Sequence, residues 1–168
     1  AALERIADET FEVLVIGGGV VGAGAALDAV TRGLSTALVE ARDFASGTSS
    51  RSSKMFHGGL RYLEQLNFDL VREALRERGL MLTRICPHLA KPIPFMYPLR
   101  DRLIERPYVG AGMILYDHMA GHDGVPHHRH LSKRQALKLA PALKPDALVG
   151  AIQYYDGQVD DARHTLKI

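Results

Sequence analysis

Two stretches of this 168-residue chain bring together groups suited to binding and transforming a small molecule. The first is Gly17-Gly18-Gly19-Val20-Val21-Gly22, with Gly24 one step further. In such a run the first glycine permits a tight turn, the second lets backbone N–H groups approach a pyrophosphate, and the third lets a helix pack closely on a strand. The helix N-terminus adds a favourable dipole. Glu40 follows the run by about 20 residues, the spacing at which a carboxylate accepts hydrogen bonds from both hydroxyls of an unphosphorylated ribose. That disfavours a 2′-phosphorylated nucleotide and leaves NAD and FAD, which share this ADP-binding chemistry. The second stretch, Ser46 to Glu64, gathers hydroxyls, glycines, Lys54, His57 and Arg61 into one short segment. Together the two stretches point to one cofactor held at both ends, with a reacting group beside it.

Reach separates the two cofactors. FAD carries its isoalloxazine well away from the adenosine, so a flavoprotein needs further backbone donors and small hydroxyls along the second half of the cofactor. Thr48, Ser49, Ser52 and Ser53 offer them, and Met55 is a further candidate contact. Gly58-Gly59 lets the backbone approach a flat ring without a Cβ in the way. The plainer alternative is a polar loop ahead of a helix cap. His57 and Arg61 stand four apart, so on one helical turn they would share a face and point at the same substrate. Histidine is a side-chain type suited to general-base work, which makes His57 a candidate base, although a histidine beside two glycines also serves to hold a loop. Tyr62 reads equally well as core. Lys54 reads as an anchor for the loop or the cofactor, or as a surface lysine.

Regular elements must hold these groups in place. Phe11 to Ile16, apolar and β-branched, reads as a buried parallel strand broken by Gly17. Val20 to Arg32 has helical spacing and stops at Gly33, and Ser35 to Val39 is a second strand closed by Glu40. This is a βαβ unit with a right-handed crossover. Asn67 caps a helix through about Ile85, with Leu70, Val71 and Ala74 inward and Arg72, Glu73, Arg76 and Glu77 in water. Pro92, Pro94 and Pro98 bracket Phe95 to Tyr97 as an edge strand or extended segment. Further helices span Tyr108 to Met119 and Ser132 to about Leu139. Leu148 to Tyr155 reads as a strand, Asp156-Gly157 as a turn, and Asp160 as the cap of a last helix. The fold class is α/β: a Rossmann-like FAD-binding domain, incomplete, with the start of a substrate or cap region. By role, 1–86 is the βαβ core and flavin-contact segment, 87–147 an inserted helical and extended region, and 148–168 a return strand and the start of a helix.

The bulk properties narrow the field. With 46% hydrophobic and 24% charged residues the chain is in the globular range and long enough for a real core. A formal charge of +2, with basic and acidic residues interleaved, does not make a nucleic-acid stripe. The single cysteine, Cys86, cannot form an internal disulfide, and no run approaches the roughly 18 apolar residues of a membrane span. The first residues lack a basic region followed by an apolar core, so no secretory signal is read there, and a segment removed before Ala1 stays open. His118, His122, His127, His128 and His130 resemble metal spacing. The glycines and proline among them read as a loop, so no metal site is expected.

At this point the residues resemble a known family. Val15 to Gly19 through Glu40, then Gly47 to Lys54, then His57-Gly58-Gly59-Leu60-Arg61-Tyr62-Leu63, look like FAD-dependent glycerol-3-phosphate dehydrogenase. Val149 to Ile152, Tyr154 to Gln158 and Asp161 to Arg163 continue the resemblance, near the mitochondrial-type members. The resemblance implies oxidation of sn-glycerol 3-phosphate to dihydroxyacetone phosphate, with FAD as cofactor and a membrane quinone as acceptor. It places Arg61 in the active site as a substrate-orienting or charge-stabilising cation and His57 beside the flavin. It implies peripheral membrane contact, at the cytoplasmic face in a bacterium or the mitochondrial inner membrane in a eukaryote. Family members are several times longer, so the chain is expected to be an N-terminal portion. The cations that grip the phosphate are expected mostly beyond Ile168. Alone it should hold flavin weakly, turn over little, and expose apolar sheet edges that invite association, homo-oligomers included. The alternatives are a related glycerol-phosphate, amine or amino-acid oxidase, and a non-catalytic nucleotide-binding module.

Overall fold

The computed structural model describes residues 2–121 and 124–168. It falls into two compact units, Ala1–Lys54 with Val159–Ile168, and Met55–Gln158. This is a division by packing, whereas the three segments expected from the sequence are divided by role.

The first unit is built on a βαβ motif. After helix α1 (Ala2–Asp8), strand β1 (Val13–Ile16), helix α2 (Val20–Thr31) and strand β2 (Thr36–Val39) follow. The strands pair in parallel, from Val13 opposite Thr36 to Ile16 opposite Val39. Residues with alternating side chains bury one face only. Val15 Cγ1 turns towards Gly22 of α2. Leu14 and Ile16 are 58% and 81% exposed, so the expectation of a fully buried strand is corrected: in this two-stranded sheet the other face lies open. Helix α2 ends as expected at Gly33, whose φ of +84° is left-handed and whose N–H donates to the Val30 carbonyl at 2.9 Å. Asp160 caps the last helix, α7 (Asp161–Lys167), by accepting from Arg163 N at 3.3 Å. This helix buries Asp161, His164 and Thr165 and packs against α2 and the 3-10 turn Thr48–Ser50.

The second unit carries a sheet in the order β3 (Met55–Phe56), β6 (Gly150–Val159), β4 (Ala90–Leu99), with β5 (Arg129–Ser132) also pairing with β6. Helices α3 (Leu60–Glu64), α4 (Phe68–Leu80), α5 (Glu105–Ala120) and α6 (Lys133–Leu139) accompany it. Asn67 Oδ1 accepts from Leu70 N at 3.3 Å and starts α4, which runs on as a π turn, Met81–Ile85. Val71 and Leu75 are fully buried against Leu63 and Tyr116, while Leu70, expected inward, is 37% exposed. Three prolines fit β4 because it ends the strand order and needs no ladder donors on its free side. Helix α5 begins at Glu105, three residues before the expected Tyr108, because Asp101 Oδ1 accepts from Leu103 N at 2.8 Å and from Ile104 N, and Pro107 needs no partner in a first turn. Ser132 and Gln135 form a full capping box on α6.

The expected Asp156-Gly157 turn does not occur. Strand β6 runs straight through both residues, with Gly157 opposite Phe56 of β3. A Cβ on Gly157 would lie 3.1 Å from the Phe56 carbonyl oxygen, and Asp156 is buried with charged and backbone partners. Close strand pairing and a satisfied carboxylate override the local turn preference of the dipeptide.

Candidate functional site

The glycine run sits between β1 and α2. Gly17 adopts φ +112°, a conformation that side-chain residues avoid, and its N–H donates to the Val39 carbonyl at 2.8 Å. A Cβ on Gly22 would collide with the Gly17 carbonyl, so helix and strand can approach only with glycine there. On Gly18 a Cβ would strike the Phe44 ring and lie 3.2 Å from Glu40 Cβ, and on Gly19 it would lie 3.0 Å from Ser49 Oγ. Glu40 leaves the end of β2 and turns to the loop: Oε2 accepts from Gly18 N at 2.7 Å and Oε1 from Arg42 N at 2.9 Å. The Gly18 bond first, then the Arg42 bond, hold its carboxyl below the usual carboxylate range. Ser49 Oγ accepts from Val20 N, the first residue of α2, at 2.8 Å. A hydroxyl thus stands at a helix N-terminus, where anionic oxygens are favoured.

The rest of the hydroxyl run divides. Ser52 is committed to α7: its hydroxyl and its amide donate to Asp161 Oδ2 at 2.8 and 3.2 Å. Burial pushes the Asp161 carboxyl up, but the Ser52 hydroxyl, the Ser52 amide and the Ala162 amide outweigh it and hold the group below its ordinary value. Lys54 takes a left-handed φ of +59°, and its N–H donates to Ser52 Oγ at 3.0 Å. Thr48, at the start of the 3-10 turn, and Ser53 are exposed.

His57 and Arg61 do not share a helical face. His57 lies exposed after β3, Gly58 is buried, and Gly59, at φ +72°, opens α3, so the helix begins only at Leu60. The helical i, i+4 relation fails because the glycine pair spends those positions on the turn. Arg61 stands in the first turn of α3 with its guanidinium carbon 5.4 Å from the Tyr62 ring centroid. It lines an open, mostly apolar groove of about 510 Å³ with Leu60, Leu63, Tyr97, Tyr108 and Tyr154. His57 and Met55 line a separate cavity of about 240 Å³ with Glu77 and Arg78. The structure therefore brings Gly17, Gly18, Gly19, Gly22, Glu40 and Ser49 together, and His57 with Met55, but places His57 and Arg61 in different cavities.

Two groups escaped the sequence reading. Arg78 is buried on α4 and paired with Asp156 of β6. The signal was its place in the series Val71, Leu75, Arg78, where helical spacing puts a cation on the apolar face. Asp117 of α5 gathers histidines: its Oδ2 accepts from His128 N at 2.9 Å and lies 2.7 Å from His128 Nδ1 and 3.3 Å from His127 Nδ1. Among the described residues no group of three or more His, Cys, Asp or Glu is placed to hold a metal ion, and His122 lies outside the described residues.

Residues 12–168 match the family model of FAD dependent oxidoreductases. The chain is 65% identical over 168 residues to a glycerol-3-phosphate dehydrogenase of Mycobacterium leprae, covering 100% of this chain and 29% of the relative. It is 53% identical over 165 residues to the mitochondrial glycerol-3-phosphate dehydrogenase of Rattus norvegicus, covering 94% of this chain and 22% of the relative. Among solved structures it is similar to the glycerol-3-phosphate dehydrogenase of Bacillus halodurans complexed with FAD, with a TM-score of 0.67 and 32% identity over 98% of this chain and 25% of that one. The chain thus spans less than a third of the length of these relatives.

Proposed function

The chain belongs to the FAD dependent oxidoreductase family, and from that we propose that it serves in a flavoenzyme that oxidises sn-glycerol 3-phosphate to dihydroxyacetone phosphate. Its fold is accordingly Rossmann-type α/β. The observation that carries the reading is that 65% identity to a glycerol-3-phosphate dehydrogenase extends over all 168 residues, across both the glycine loop and the His57 to Arg61 turn. The residues present fit the cofactor: Gly22 leaves no space for a side chain and Gly19 little, Glu40 is an ionised acceptor suited to ribose hydroxyls, and Ser49 marks the helix terminus suited to a pyrophosphate.

Oxidising the secondary alcohol removes a hydrogen with its electron pair from C2 and a proton from the hydroxyl. FAD, when bound, supplies the two-electron acceptor. In this reading the Arg61 guanidinium orients the substrate through its anionic oxygens, and His57, in its own cavity across the Gly58-Gly59 turn, stands beside the flavin as the candidate acceptor of the hydroxyl proton. Thr48, Ser52, Ser53 and Met55 belong to the flavin-contact segment. Electrons then pass to a membrane quinone through contact at the membrane surface, the cytoplasmic face in a bacterium or the inner mitochondrial membrane in a eukaryote. The mitochondrial name of the rat relative supports the second setting. No helix among the described residues is long and apolar enough to cross a membrane.

The test is anaerobic mixing of the complete natural protein with glycerol 3-phosphate. Bleaching of the yellow flavin band, followed by reoxidation with a quinone analogue, is expected. Bleaching by glycine or proline instead, or rapid peroxide formation in air, would replace this reading with an oxidase; a protein that binds nucleotide and never bleaches would end it.

A further inference from the structure

Arg78 is 3% exposed and Asp156 is 6% exposed. Arg78 Nη1 donates to Asp156 Oδ1 at 2.6 Å, to the Tyr155 carbonyl at 3.2 Å and to the Tyr116 hydroxyl at 3.3 Å, and the guanidinium carbon lies 5.6 Å from the Tyr116 ring centroid. Removing two charges from water is costly, and apolar pairs of similar volume often serve stability as well or better, so fold stability alone does not account for the pair. The same Asp156 Oδ1 accepts the Gly58 N–H at 2.9 Å, across 98 residues of sequence. Gly58 is the peptide between His57 and the left-handed Gly59 that opens α3. The space beside it is filled: a Cβ there would meet the Tyr116 hydroxyl and Leu75 Cδ2. A charged acceptor, a packed wall and a fixed helix start therefore converge on one backbone amide.

We propose that Arg78 and Asp156 are a positioning pair, in which Asp156 holds the Gly58 amide, Arg78 holds Asp156 aimed at it, and the turn so fixed sets where His57 and Arg61 stand. Both act through the turn rather than on the substrate. The inference rests on the reading that His57 and Arg61 handle the substrate.

Two double variants of the complete natural protein separate the pair's roles. Arg78→Met with Asp156→Leu keeps the buried volume and removes the acceptor for Gly58. Arg78→Gln with Asp156→Asn removes both charges and keeps an oxygen for Gly58. The Met/Leu variant is expected to retain FAD and unfold cooperatively, yet to lose about 10- to 100-fold in kcat, more than in KM, as misplaced reacting groups do. Its Gly58 amide is expected to exchange with solvent about tenfold faster while the α4 amides do not change. The Gln/Asn variant restores most of both. Wild-type exchange at Gly58 in the Met/Leu variant, or a Gln/Asn variant as slow as Met/Leu, would overturn the proposal. Should Met/Leu fail to fold, Arg78→Gln with Asp156→Ala, which leaves no unpaired buried charge and no acceptor for Gly58, carries the same two measurements. A wild-type protein without turnover of glycerol 3-phosphate overturns the functional reading instead, and amide exchange then still decides whether the pair holds the turn.

Discussion

Gly22 and Gly24 look alike in the sequence and differ in what a methyl group would meet. At Gly22 a Cβ collides with the Gly17 carbonyl, which is backbone and cannot swing aside, whereas at Gly24 nothing lies within 4 Å. Gly22→Ala should therefore cost about 1–3 kcal/mol or more in denaturant unfolding through overpacking. Gly24→Ala should stabilise by about 0.5–1 kcal/mol, since glycine inside a helix is the less favourable residue. Equal effects at both positions would mean that the close approach of α2 to β1 is not what the third glycine serves. Glu40 makes a different prediction, because its carboxylate is held in place by Gly18 and Arg42 N–H groups before any ribose arrives. Glu40→Ala should weaken FAD binding roughly tenfold in a fluorescence titration, as loss of a charged acceptor does. Unaltered affinity would remove Glu40 from the ribose site.

Helix α4 shows what an element adds to its residues. The cap at Asn67 and the exposed row Arg72, Glu73, Arg76 and Glu77 were legible in the sequence because they depend on local chemistry and helical spacing. The phase of its buried face was less so: Leu70 and Leu75 are equally apolar, yet Leu75 is fully buried against Val71, Leu63 and Tyr116 while Leu70 is 37% exposed. Leu75→Ala should cost about 2–5 kcal/mol, and Leu70→Ala about 0.5 kcal/mol, in thermal or denaturant unfolding. Comparable losses would show that the helix is turned differently. The βαβ motif, the span of α6, the cap of α7 and the left-handed Gly33 were readable for the same local reason. The pairing of Arg78 with Asp156, the passage of β6 through Asp156-Gly157 and the separation of His57 from Arg61 were not. Each depends on a partner far along the chain or on a glycine spending its backbone freedom, and neither leaves a period in the sequence.

At the scale of the whole chain, acid should act on the first unit in two stages, because a buried imidazole and two hydrogen-bonded carboxylates there all favour their deprotonated forms but take up protons in different pH ranges. His164 on α7 is 5% exposed, and burial pushes its imidazole below the ordinary value of about 6.5. Its folded-state pKa is lower than its unfolded one, so the unfolded chain binds the proton first as pH falls. The stability tied to neutral His164 is complete above about pH 6.5 and is lost as pH drops from there to the folded value. Glu40 and Asp161 are held below the ordinary carboxylate range, so their contribution persists through that stage and is lost only as pH falls on through their own folded values. His130, in the second unit, is also shifted down, by burial first and then by the Arg106 charge, and its exposed ring adds a smaller share over the same pH range when the whole chain is measured. Unfolding free energy measured across pH should therefore be flat between about pH 7 and 8, decline below about 6.5, and decline again below about 4. In His164→Gln the first decline should shrink towards the share left to His130, while the second stays. A full first decline in that variant would move the acid sensitivity away from α7.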